Sequence, residues 1–126
     1  MQIYPEIKRF VQDVLGCSCP EEVFTEIEYQ ENDDGVSGRK FRIADRLLIY
    51  IITADGKSDI QELVDLALAR GIKERDNNGL NRFRLVLVSS SPDELRTMAV
   101  SAFNSSGFTD EKTYLHVVSE ADVAGF

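Results

Sequence analysis

The chain has 126 residues, 43% of them hydrophobic and 29% charged, which suits one globular domain over residues 1–126 and excludes a disordered polypeptide. With 22 acidic against 14 basic side chains the net charge is −8, a field that repels a phosphate backbone, so no nucleic-acid partner is expected. The longest apolar run, residues 47–52, is too short to span a bilayer, and residues 1–6 lack a secretion signal; the expectation is a cytoplasmic protein with no membrane partner and reduced cysteines.

Pro5 opens the first predicted helix, with Ile7, Phe10, Val11, Val14 and Leu15 on one face and Gly16 as its stop. Cys17-Ser18-Cys19-Pro20-Glu21-Glu22 then reads as the start of a short second helix. Alternation over residues 25–30 predicts a strand, and the Asn, Asp and Gly residues of 31–38 predict an exposed hairpin loop. Residues 41–52 read as one return strand. Its second half, 47–52, is apolar on both faces and therefore central in a covered sheet. Arg39, Lys40, Arg42 and Arg46 cluster at its start and read as a solvated strand end. Asp45 interrupts the apolar pattern, so an ion pair with a neighbouring arginine or a bulge is expected.

Ser58-Asp59-Ile60-Gln61 is a capping box for a helix with Ile60, Leu63, Val64, Ala67 and Leu68 on its buried stripe, Gly71 ending it and residues 73–81 forming a loop. The strand 83–88 follows. Ser91-Pro92-Asp93-Glu94 opens the next helix, whose face is Leu95, Met98, Ala99, Ala102 and Phe103 and whose stop is Gly107. Residues 113–118 form the last strand. The order α-β-β-α-β-α-β, with helical crossovers long enough for parallel pairing, predicts an α/β domain with an open mixed sheet of about four strands. In that sheet the first hairpin strand is antiparallel and the rest are largely parallel. The alternative is a ferredoxin-like antiparallel sheet, reached if the 73–81 loop redirects the chain.

Two places could carry chemistry. Cys17 and Cys19 sit one residue apart at a helix start, where orphan amides and the positive end of the dipole favour thiolate, the form that attacks and that binds soft metals. Glu21 and Glu22 oppose that shift. A mononuclear zinc site takes four ligands, and His116 is the single histidine available as a third, so zinc or iron would need a carboxylate, water or second subunit to complete it. The competing reading has both cysteines as small packing residues in a helix corner. At the carboxyl ends of the strands, Asp55, Lys57, Ser89 and Ser90 could hold a small anion beside helix N-termini. Gly56-Lys57-Ser58 matches the tail of a phosphate-binding loop, but Ile51 stands where its first glycine belongs, which excludes nucleotide hydrolysis. Ser58 and Ser91 have a competing use as helix caps. Asp33 and Asp34 are explained by turn chemistry, and lone His116 reads equally as a structural residue. No nucleophile stands at a recognisable spacing from a histidine or acid, so no enzyme assignment can be read.

Three functions are carried from the sequence. The leading one is an accessory protein with a Cys-x-Cys thiol or metal-binding site. The second is a non-enzymatic interaction or assembly module, forming a homodimer or engaging a protein partner through the edge strand near residues 25–31. The third is small-anion binding at the strand ends.

Overall fold

The computed structural model describes residues 9–14, 27–31, 39–44, 46–54, 59–107 and 110–123. Among them five strands form one sheet in the order of the chain: β1 (Ile27–Glu31), β2 (Arg39–Ile43), β3 (Leu47–Thr53), β4 (Arg82–Ser89) and β5 (Thr113–Ser119). The pairs β1–β2 and β2–β3 are antiparallel, while β3–β4 and β4–β5 are parallel. The α/β class and open mixed sheet expected from the pattern are found, and the two parallel ladders exclude the ferredoxin-like alternative.

The stretch read as a single strand over residues 41–52 is two strands. Ile43 pairs with Leu47 across a tight turn in which Arg46 N–H donates to Ile43 C=O at 3.0 Å. Ala44 takes φ 53°, a left-handed conformation that a non-glycine residue adopts at a cost of about 1 kcal/mol. Arg46 C=O then accepts from Asn81 N–H (2.8 Å) and Arg82 N–H (3.0 Å), pinning the turn to the start of β4. Asp45 itself lies outside the described residues.

Helix α1 (Ile60–Asn77) joins β3 to β4 and helix α2 (Pro92–Ser105) joins β4 to β5. Two crossovers advancing in one direction with one hand place both helices on the same face. Leu63, Val64, Ala67 and Leu68 of α1 and Leu95, Ala99 and Ala102 of α2 pack there on Leu48, Tyr50, Ile52, Phe83, Leu85 and Leu87. The opposite face, with Phe41, Ile43, Leu47, Ile49, Ile51, Val86, Val88 and Val118, is covered by Phe10 and Val11 of a helical segment (Phe10–Val14) and by Val123 of a 3-10 turn (Glu120–Val123). β3 is therefore buried on both sides from Leu47 to Ile52, as its continuous apolar run requires.

Helix α1 does not stop at Gly71; it runs on to Asn77, and Gly79 at φ 68° follows as the turn. Gly71 serves a packing role, since a Cβ built there would lie 2.2 Å from Phe83 Cζ. Residues 73–77, read as loop, are helical because Glu74 and Arg75 anchor the last turn. In α2, Met98 is exposed rather than part of the buried face, which Leu95, Ala99 and Ala102 fill. Gly107 ends that helix region at φ 79°, as expected. The second helix start, the hairpin loop and residues 55–58 lie outside the described residues.

Candidate functional site

The polar groups fall into four places. On the sheet face away from α1 and α2, Arg84 of β4 and His116 of β5 stand one strand apart, with Arg84 Nη1 2.8 Å from His116 Nε2. The guanidinium carbon also lies 4.6 Å over the Tyr114 ring. Burial first, and then the Arg84 charge, push His116 down to about 4. At neutral pH the imidazole is uncharged, and an arginine can only donate, so Nε2 accepts and the ring proton sits on Nδ1. Burial likewise lowers Arg84 from its usual value. A lone pair held by a guanidinium is poorly placed to act as a base or to bind a cation.

Two clamps tie α1 to the sheet. Arg75, with a side chain 5% exposed, grips Asp110 in two parallel bonds, Nη1 to Oδ1 at 3.1 Å and Nη2 to Oδ2 at 2.8 Å. Nη1 also donates to Thr113 Oγ1 at 2.9 Å, and Thr113 Oγ1 donates to Asp110 Oδ1 at 2.8 Å. These bonds, Arg75 foremost, hold the Asp110 carboxyl down at about 2. In the second clamp Glu74 receives Tyr50 Oη at 2.7 Å and Lys40 Nζ at 3.0 Å. Lys40 thus belongs to an inter-element ion pair, and Arg42 lies 3.7 Å from Glu28 on β1, so these two are built into the interior strand β2, while Arg46, in the turn after it, is exposed as a solvated strand end would have it. Both clamps join elements far apart in sequence, which is why no local motif announces them.

At the carboxyl ends of the parallel strands, Ser89 is buried and its Oγ accepts Ser91 N–H at 2.9 Å, while Ser90 is exposed. Asp59 caps α1 by accepting Glu62 N–H at 2.9 Å, the role that the sequence pattern assigned to Ser58. Ser91 occupies the cap position of α2, with Pro92 first in the helix, but makes no side-chain cap bond. Asp93 and Glu94 stand in the first turn of α2 and Glu62 in that of α1, so both helix N-termini already carry carboxylates. Asp55 and Lys57 lie outside the described residues, so of the expected anion-binding set the structure places Ser89 and Ser90.

The fourth place is the sheet edge. β5 ends the sheet, and its seven residues, Thr-Tyr-Leu-His-Val-Val-Ser, include no charge, proline or glycine. The other edge, β1, carries two glutamates in five residues. Phe83 N–H donates to Lys112 C=O at 2.9 Å, so by alternation Tyr114, His116 and Val118 turn their backbone groups to β4, and Thr113, Leu115, Val117 and Ser119 turn theirs outward. The ends of that outward row are closed locally. Thr113 N–H reaches Asp110 C=O (3.3 Å), Ser119 N–H reaches Asp122 Oδ2 (3.1 Å), and Arg96 Nη2 donates to Val117 C=O (3.2 Å). Among the described residues, nothing bonds the Leu115 N–H and C=O or the Val117 N–H. The sequence reading placed the binding edge at β1. The signal that could have pointed to β5 was the uncharged run 113–119 at the end of the strand order.

Cys17 and Cys19 lie outside the described residues, and among the described residues no three His, Cys, Asp or Glu side chains group as metal ligands. No helix among them is long and apolar enough to cross a membrane. Comparison of the chain with protein-family models, curated proteins and solved structures found no match.

Proposed function

We propose that this protein is a non-enzymatic binding or assembly module that accepts an added β-strand along the β5 edge. The observation that supports this reading is the uncharged edge strand with the Leu115 and Val117 amides turned outward. Edge strands are ordinarily blunted by lysine, proline or bulges, because an open row of N–H and C=O groups templates another strand. β5 has none of these along Thr113–Ser119. The test is a synthetic peptide copying residues 112–120, titrated against the protein while amide exchange is followed residue by residue. Slowed exchange at Leu115 and Val117 is the expected result, with the slowing at Leu115 lost in Val117→Pro. Proline there removes an outward donor and leaves the ladder to β4 intact. Unchanged exchange at both amides at saturating peptide would end this reading.

A thiol or metal-binding role for Cys17 and Cys19 is the second proposal, supported by their spacing in a sequence that predicts a helix start. The engagement of His116 Nε2 by Arg84 weighs against that histidine as a third ligand. Metal analysis of protein purified without chelator tests it. Stoichiometric zinc or iron that disappears in Cys17→Ser/Cys19→Ser is the expected outcome; metal-free protein with ordinary thiol reactivity speaks against it.

A further inference from the structure

We propose that the strand added at this edge is β5 of a second copy of the chain, paired antiparallel about a two-fold axis that passes beside His116. This rests on the edge reading above and names its occupant.

Three observations select the partner and the register. First, β5 runs from Thr113 to Ser119, so pairing its full length with itself sets residue 116 opposite 116, 115 opposite 117 and 113 opposite 119. The outward-facing residues are 113, 115, 117 and 119, and this register opposes outward groups with outward groups. Leu115 and Val117 of one copy then exchange N–H···O=C bonds with Val117 and Leu115 of the other. Arg96 bonds the Val117 carbonyl from a half-exposed side chain, and that oxygen has a second lone pair.

Second, a chain with net charge −8 repels its own copy over most of its surface, whereas the strand residues of the β5 edge carry no charge and the Arg96 beside them is paired with Asp93. Third, the same register places Lys112, just before the strand, opposite Glu120, just after it, twice over by symmetry. Both side chains are exposed, Lys112 in the turn that enters β5 and Glu120 first in the 3-10 turn that leaves it. Two of the neighbouring acids are engaged within their own copy, Asp110 by Arg75 and Asp122 by the Ser119 N–H and hydroxyl, while exposed Glu111 falls opposite Ala121 in this register. Moving the axis to Leu115 would set Asp110 against Glu120 and leave Lys112 facing Val118; moving it to Val117 would pair only residues 115–119. Centring the open Leu115 and Val117 groups on the axis and the contact of Lys112 with Glu120 therefore choose the same register.

Light scattering after size exclusion, over a range of concentrations, reads the assembly. A strand-to-strand contact of this length should give a dimer with a dissociation constant on the order of micromolar. Lys112→Glu and Glu120→Lys should each weaken it by about tenfold, through two like-charge contacts apiece, and the double variant should recover it. Val117→Pro should leave a monomer with an unchanged circular dichroism spectrum. A monomer at every concentration, with the 112–120 peptide still protecting Leu115 and Val117, overturns the second copy as occupant and keeps the edge reading. A dimer indifferent to the charge reversals or to Val117→Pro overturns this register. Absence of both dimer and peptide protection removes both proposals.

Discussion

The neutral state of His116 has a consequence that can be read in bulk stability. In the unfolded chain its imidazole titrates near the ordinary 6.5, while in the folded protein burial and Arg84 bring it to about 4. Between these values the unfolded state binds the proton and the folded state does not, so stability falls as pH falls. The contribution is whole above pH 6.5 and is lost progressively towards pH 4. By pH 5 the loss amounts to about 2 kcal/mol at most, by the usual 1.4 kcal/mol per unit. Urea unfolding of the protein and of His116→Gln at pH 7 and pH 5 should show the loss in the first and its near absence in the second. Equal pH dependence in both would mean that His116 is solvated. Asp110 acts in a separate window. Its carboxyl, depressed to about 2 by Arg75, contributes stability present in full above the ordinary carboxylate range and lost only as pH falls from about 4 to 2.

At the level of elements, the closest approach between α1 and the sheet is at Gly71. The Phe83 ring fills the place where a Cβ would stand, and that ring is itself held edge-on to Tyr50 with centroids 4.9 Å apart. Gly71→Ala gains about 1 kcal/mol of helix propensity, yet it must displace a fully buried ring at an overpacking cost of about 1–3 kcal/mol. The net expectation is a protein less stable by about 1 kcal/mol in thermal or urea unfolding. Phe83→Leu in the Gly71→Ala background should recover part of the loss. A more stable Gly71→Ala protein would show that the helix can lift from the sheet. The same contact explains why the helix was expected to end too early. A glycine after an apolar stripe looks like a stop, and the ring that demands it lies on a strand twelve residues further along. The division of residues 41–52 into β2 and β3 was hidden for a related reason. The left-handed position of that turn is Ala44, a residue without the turn preference of glycine or asparagine, so only Asp45 hinted at a break.

For the molecule as a whole, the charge distribution and the sheet order decide where it can meet other molecules. Parallel crossovers cover one face with α1 and α2, and Phe10, Val11 and Val123 pack on the other, which among the described residues leaves the sheet's ends as its open backbone. One end is acidic and short, the other uncharged and seven residues long. Edge identity is a property of the strand order rather than of any strand, so the acidic strand near residues 25–31 could be read as an edge while the opposite edge at β5 could not. The paired thiols stood out in the sequence, yet spacing alone does not say what their sulfurs face.

Periodicity, caps and chain punctuation determined the α/β class, the central position of β3 and β4, both crossover helices and the parallel half of the sheet. Those signals are local, carried by residues within one helix or strand, and hydrophobic burial converts them directly into layers. Tertiary structure alone decided the split at Ala44, the extension of α1 through Gly71, the Arg75–Asp110 and Tyr50–Glu74 clamps, and the pairing of Arg84 with His116. Each of these depends on side chains brought together from distant positions, where contact geometry rather than residue type sets the outcome.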